Sequence, residues 1–435
     1  MKCLAVLILA VMTGSAGAFR VEPALAVARA LEVSDAAFAA ELRADAAART
    51  VAAADAALFP TLSVSASAAY RSSVPEFSIT IPVPGLTPMV LAPDIREVYA
   101  TGLRMQQVLF SGGAVTGARR AARHELEAGR QIAAQIRADV RLQALSVYWS
   151  AVRAGAALRA AEAQERRAQR LHTDAGALDD AGMATPADLA AARERIASAT
   201  VQRIRTAALS DNAHAQLRSL LHLDPGTPIE LADSLDGPLP PLPESLESLQ
   251  DHALRSRPEL AASRSRVRVL EARRAIAGAG SWPSLSAVTQ WDYSRPNQRY
   301  FPTEDAWNDS WSVGIVGAWN VFDGGKARAD ARSLEAAARG AARDLAELQR
   351  LVLLEVETAH RDLCSAIATI AAAEAALDAA GQRQRQTGDR FAAGLAAIAD
   401  QLDAEAQLQA AEGMVIDAHS GAWIASARLE RAVGR

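Results

Sequence analysis

Two aspartates three residues apart, Asp400 and Asp403, share a face of any helix that carries them. Carboxylates gathered on one face attract cations, and crowding them carries a cost. The other residues able to do chemistry form no set. His124, His172, His214, His222, His252, His360 and His419 are scattered without metal-ligand spacing. No serine, cysteine or threonine sits in a nucleophile motif with a plausible base. Gly324-Gly325-Lys326 has part of a phosphate loop, but Ala327 replaces its Ser/Thr and Asn320 stands where the first glycine belongs. The chain therefore reads as a non-enzyme, with no catalytic, cofactor or metal site.

Bulk properties narrow the class further. Lys2, the apolar run Leu4 to Met12 and Ala16-Gly17-Ala18 make an export signal over residues 1–18, cleaved before Phe19. Cys3 precedes the apolar run and leaves with it, so no lipid anchor is expected. The mature chain keeps only Cys364, which excludes an intrachain disulfide. A net charge of −4, with both signs interspersed, argues against nucleic acid as a partner. No later run of 18 uncharged apolar residues occurs, so no transmembrane helix is expected. A membrane-spanning form would have to be a closed β-barrel, because only closure pairs the remaining backbone groups in lipid.

The elements that would position the aspartates repeat within the chain. Ala57-Leu58-Phe59-Pro60-Thr61-Leu62-Ser63 recurs as Gly280-Ser281-Trp282-Pro283-Ser284-Leu285-Ser286. Val108-Leu109-Phe110-Ser111-Gly112-Gly113 recurs as Asn320-Val321-Phe322-Asp323-Gly324-Gly325, and Ala181-Gly182-Met183-Ala184 as Ala393-Gly394-Leu395-Ala396. The last two pairs are separated equally and the first by more, so the first copy has the longer loop between its strands. Copy one is placed at 19–222, a helix (about Ala24 to Leu58), a β-hairpin over 61–110 and a long helix hairpin over 114–222. A proline-rich linker at 223–244, with short strands near Ile229 and Leu231, precedes copy two at 245–435. That copy has a helix (about Ser245 to Gly278), a β-hairpin over 284–322 and a long helix hairpin over 326–435. Ile136, Val140, Ala144, Val147 and Ala151 form a buried stripe, matched by Leu348, Val352, Val356, Ala359 and Leu363. Each long helix, of roughly 65 to 70 residues, would extend about 100 Å, too long for a globular core.

The strands alternate. Leu62, Val64, Ala66, Ala68 and Tyr70 are interleaved with serines, and Tyr99, Thr101, Leu103 and Met105 with Gly102, Arg104 and Gln106. Leu285, Ala287, Thr289, Trp291 and Tyr293 line one face of the third strand. Trp311, Val313, Ile315, Gly317, Trp319 and Val321 line one face of the fourth. Such segments, apolar outward and polar inward, match transmembrane barrel strands. Aromatics are only 5% of the chain, yet Trp291, Tyr293, Trp307, Trp311 and Trp319 cluster here, as an interfacial girdle would. Four strands cannot close a barrel, so the barrel would be shared between subunits. A periplasmic coiled-coil scaffold is the rival reading; it explains the helices but not the alternating aromatic strands.

In this order the motifs resemble the TolC family of outer-membrane efflux and secretion channels, over essentially the whole mature chain. The carriers are the helix–Phe/Trp-Pro–strand junctions at Phe59-Pro60 and Trp282-Pro283 and the Phe-x-Gly-Gly junctions at Phe110 and Phe322. Arg390-Phe391-Ala392-Ala393-Gly394 is the third, followed by Asp400, Leu402, Asp403 and Ala404. The resemblance implies a mainly α fold with a membrane β-barrel portion: antiparallel helical hairpins forming an α-barrel below a twelve-stranded barrel shared by a homotrimer. It implies an outer-membrane location reaching into the periplasm of a Gram-negative cell. It also implies a periplasmic adaptor and an inner-membrane pump docked at the tips Gly182, Met183, Ala184, Gly394, Leu395 and Ala396. The duct would conduct small molecules passively, with protein secretion by a one-step exporter as the alternative. Asp400 and Asp403 match acidic residues that narrow the periplasmic entrance, as carboxylate rings under three-fold symmetry, and Asp188 matches a member of the polar network closing it. Here Ala396 and Leu178-Asp179 depart from that network.

Overall fold

The computed structural model describes residues 19–79, 89–235 and 237–435. The expected export signal at 1–18 and the middle of the first strand-connecting loop lie outside the described residues. The chain divides into two compact units, each drawing on both halves of the sequence. One comprises Glu41–Gln131 and Leu260–Glu347; the other the described part of Met1–Ala40, Ile132–Glu259 and Leu348–Arg435.

The first unit holds a four-stranded antiparallel sheet. Its strands β2 (Thr61–Tyr70), β5 (Glu97–Phe110), β7 (Ser284–Arg295) and β8 (Asn308–Ala318) lie in the order β2-β5-β7-β8. Register places Val64 opposite Leu103, Leu103 opposite Trp291, and Trp291 opposite Trp311, so the four apolar rows fall on one face. The other face pairs Ser63 with Arg104, Arg104 with Gln290, and Gln290 with Ser312. Strand β8 stops at Ala318, short of the expected hairpin end at 322, so Trp319 and Val321 follow the strand rather than line it. The longer first loop carries a small hairpin that the sequence pattern did not announce, β3 (Phe77–Ile79) with β4 (Met89–Ala92).

Helix α3 (Ala114–Asp180) and helix α7 (Lys326–Ala392) have 67 residues each, about 100 Å at 1.5 Å per residue. Gly112 initiates the first in the left-handed region (φ +59°), and a β-carbon there would lie 2.6 Å from that of Trp282. Asp323 begins the second: its carboxylate accepts from the N–H groups of Gly325 and Ala327, both at 2.8 Å. Gly324, Gly325 and Lys326 thus form the turn and first helical residue that Asp323 caps, in keeping with the rejected phosphate loop. Helix α7 also contains an apolar 18-residue window carrying at most two charged residues, which is not the uncharged run of 18 that the sequence lacks. Val352, Val356, Leu363 and Ile370 of this helix are buried within the chain, but only 17% of the apolar window is.

Each single helix expected ahead of a hairpin is broken in two. The first comprises α1 (Pro23–Val33) and α2 (Asp35–Ala56), because Ser34 leaves helical geometry and its hydroxyl accepts from the Ala37 N–H at 3.3 Å. The second comprises α5 (Leu246–Ser256) and α6 (Pro258–Ala279), because a residue before proline is driven to extended backbone, here Arg257 at ψ 122°. Arg257 is buried at the break, with its guanidinium on Glu355 at 2.7 Å.

In the second unit, α4 (Pro186–Leu220) and α8 (Ile398–Val433) return beside the long helices. The Val140 and Ala144 stripe meets Leu217 and Leu221, capped by the parallel pair β1 (Phe19–Val21) and β6 (Ile229–Leu231). At its centre the Tyr148 hydroxyl, wholly buried, donates to Asp233 at 3.0 Å and accepts from the Asp233 N–H at 3.3 Å. Burial pushes the Tyr148 hydroxyl pKa up, so it stays a neutral donor. Tyr148→Phe strands the Asp233 groups and is expected to cost about 1–3 kcal/mol, read as a lower thermal midpoint of the detergent-solubilised protein. A β-face contrast gives a second test. Ile315→Arg on the apolar face should cost about 2–4 kcal/mol in a bilayer and reduce assembled protein, whereas Ser312→Arg on the polar face should assemble normally.

Candidate functional site at the helix tips and the sheet

Both tip turns use the same local chemistry. Helix α3 ends with Gly182 at φ +72°; its N–H donates to the Asp179 carbonyl, and that of Met183 to the Leu178 carbonyl, both at 2.8 Å. Helix α7 ends with Gly394 at φ +71°, where the Gly394 and Leu395 N–H groups donate to Phe391 and Arg390 at 2.9 and 2.8 Å. Each is a glycine-terminated cap that satisfies the final carbonyls. Helix α4 then starts with Thr185 as N-cap, Pro186 at the first position and Asp188 closing a capping box: its carboxylate accepts from the Thr185 N–H at 2.8 Å. The Thr185 hydroxyl and N–H hold the Asp188 carboxyl below the usual carboxylate range. Asp400 occupies the same place on α8, 3.4 Å from the Ala397 N–H.

The structure therefore seats two of the three expected gate carboxylates as helix caps. The third, Asp403, is exposed but not free: Arg383 of α7 donates to it at 2.9 Å and Gln407 at 3.0 Å. The two tip turns meet in one small core of Leu171, Ala175, Leu178, Ala192, Phe391 and Ile398. Ala184 and Ala396 are half-buried against it, while Met183 and Leu395 stand 63% and 70% exposed. Of the six expected docking residues, these two offer the large apolar surface.

Sequence reasoning missed a buried polar ladder behind the tips. Glu405 of α8, only 3% exposed, lies 3.6 Å from the Arg195 guanidinium of α4 and accepts from Gln401 at 3.5 Å. Arg195 also donates to Gln409 at 3.3 Å, Gln164 of α3 donates to Gln409 at 2.6 Å, and Arg167 to Glu412 at 2.9 Å. Polar residues at helical spacing read as solvated faces, and only the packing of three helices turns them inward. Burial pushes the Glu405 carboxyl above the usual range, against the pull of Arg195 and Arg167.

On the sheet, Trp291, Tyr293 and Trp307 form a stacked row with centroids 6.1 and 5.0 Å apart, and Tyr99 stacks on Trp307 at 6.1 Å. Trp311 is the cross-strand partner of Trp291. Trp319 lies at the opposite end of β8, its indole N–H donating to Ser281 at 3.3 Å beside exposed Trp282. Trp282 and Tyr293 are separated by about 35 Å of strand, which at barrel tilt subtends about 25–30 Å, the height of an apolar band between two interfaces.

The sequence model of the family described as outer membrane efflux protein matches residues 26–222 and 249–435. The chain belongs to the outer membrane efflux protein family. It is 28% identical over 346 residues to the alkaline protease secretion protein AprF of Pseudomonas aeruginosa, covering 77% of this chain and 69% of that one. The fold is that of solved channels. VceC from Vibrio cholerae aligns at TM-score 0.77 and 21% identity over 95% of this chain and 96% of its own. CusC aligns at TM-score 0.79 and 17% identity over 95% and 92%. This efflux-family chain is accordingly an outer-membrane channel protein, mainly α-helical, whose open four-stranded sheet is its share of a barrel.

A carboxyl with a raised pKa binds its proton better in the packed state, so its contribution to packing is fullest in acid and is lost as pH rises through the raised value. Protease nicking of the tip helices is expected to slow as pH falls from neutral toward the ordinary carboxylate range, and Glu405→Gln to remove that dependence. The Asp188 cap acts in the opposite sense and only below the ordinary carboxylate range, so the variant isolates Glu405.

Proposed function

We propose that three copies of this chain form one exit duct, conducting small molecules passively from a periplasmic adaptor and inner-membrane pump to the exterior. The observation that carries this reading is the sheet: apolar and aromatic on one face, polar on the other, with β2 and β8 left as unpaired edges among the described residues. Only closure with other copies pairs those edges in hydrocarbon. The aromatic rows at Trp291, Tyr293, Trp307 and Trp311, and at Trp319, would then mark the two membrane interfaces.

At the periplasmic end, Asp400 and Asp403 are proposed to ring the entrance in threes and favour cations. Asp188 takes part as the cap that fixes the facing hairpin. The double variant Asp400→Ala, Asp403→Ala is expected to lower the cation-to-anion permeability ratio of single channels in planar bilayers. An unchanged ratio would remove both residues from the gate.

Docking is assigned to the tips, with Met183 and Leu395 as apolar contacts presented by the Gly182 and Gly394 turns. Bulk at Ala184 or Ala396 would disturb the tip core as well as any partner, so the cleaner test is charge at the exposed pair. Met183→Asp with Leu395→Asp should abolish transport in cells while assembled trimers persist at normal levels. Transport at the unmodified rate would sink the docking role.

The match to AprF favours a second reading, in which the duct serves protein secretion through a one-step exporter. A photo-crosslinking residue at Leu395 separates the two, because the captured adaptor's companion pump names the cargo class.

A further inference from the structure

Within the second unit, the start of α1, helices α3 and α8 and the linker after β6 line a half-open cavity of about 610 Å³. That volume lies within the range of small-molecule sites. Trp149 and Trp423 wall it, stacked nearly parallel with centroids 4.8 Å apart and planes 6° from coincident. Leu145 and Val27 extend the apolar surface. It lies about 45 Å along α3 from the tip turn, and neither gating nor docking uses it.

The charge around this cavity is one-sided. Three carboxylates line it, Glu22, Asp233 and Glu430, against a single guanidinium, Arg141. Arg141 is already engaged by Glu430 at 3.3 Å, and Asp233 is held by the Tyr148 hydroxyl at 3.0 Å. Glu22 is exposed at the mouth and pairs with no cation among the described residues. An indole pair beneath a net negative rim favours a flat apolar body through dispersion and a positive charge through both the carboxylates and the ring faces. An anion of the same shape would meet the rim's repulsion, and a neutral one would forgo half of the attraction.

We propose that this cavity is a binding site for a planar aromatic cation, one per chain. Occupancy would bridge the linker and α1 to the α3–α8 pair, joining four segments that are otherwise separate in sequence.

The probe is ethidium, titrated by equilibrium dialysis into the purified full-length trimer in detergent, with 1-anilinonaphthalene-8-sulfonate as the anionic counterpart. Saturable binding near one ethidium per chain is expected, weakened at least about ten-fold by Trp423→Ala and about three-fold by Glu22→Gln. The anion should not compete. Glu22 is exposed and outside the core, so its variant keeps the test valid should Trp423→Ala fail to assemble. Absence of saturable binding, as when a neighbouring copy covers the cavity, would overturn the proposal. So would unchanged affinity in the Glu22 variant, or anion binding as tight as that of ethidium.

Discussion

A backbone N–H or C=O left unpaired in hydrocarbon costs several kcal/mol, and this chain carries two strand edges that no other strand among its described residues covers. Nearly everything else about the sheet follows from that constraint. Four strands cannot curl far enough to bring β2 to β8, so the edges are satisfied by other copies. Closure in turn fixes an inside and an outside, and the mid-sheet register obeys it: Val64, Leu103, Trp291 and Trp311 fall on one face, Ser63, Arg104, Gln290 and Ser312 on the other. A slip of one residue on β5 would send Arg104 into lipid.

The helices answer a different constraint, that of packing long rods closely enough to exclude water along their length. Alanine dominates the buried positions, which allows close approach but leaves little apolar area per residue to hold the helices in register. Specificity comes instead from buried polar contacts at a few levels. Tyr148 with Asp233 fixes the linker to α3, Arg257 with Glu355 fixes the break before α6, and the ladder from Gln164 to Glu405 fixes α8 against the first hairpin. Each directional contact discriminates against a shifted register, which a stripe of methyl groups cannot do.

The helix breaks show where local sequence speaks clearly and where it does not. Pro258 carries a local stop signal, since the residue before it is driven out of helical geometry, though the expected single helix from about Ser245 to Gly278 ran through it. Ser34 gives no comparable signal: serine tolerates helix, and the break needs its hydroxyl to find the Ala37 N–H. The hairpin inside the first strand-connecting loop was hidden likewise, because three- and four-residue strands have too short an alternation to register.

By itself the sequence determined, without the β3–β4 hairpin or the helix breaks, the duplicated order of the main elements, the two faces of the sheet, the glycine turns and the long helices. Each of these is set by period, by proline and glycine geometry, or by composition, all readable within a few residues. Only the tertiary structure decided what the charged residues do. Asp188 and Asp400, singled out for the gate, also serve as helix caps, while Glu405, which carried no signal of its own, is buried beside half-buried Arg195. A charged side chain on a helix carries the same local signal whether water or another helix covers it, and that depends on residues hundreds of positions away.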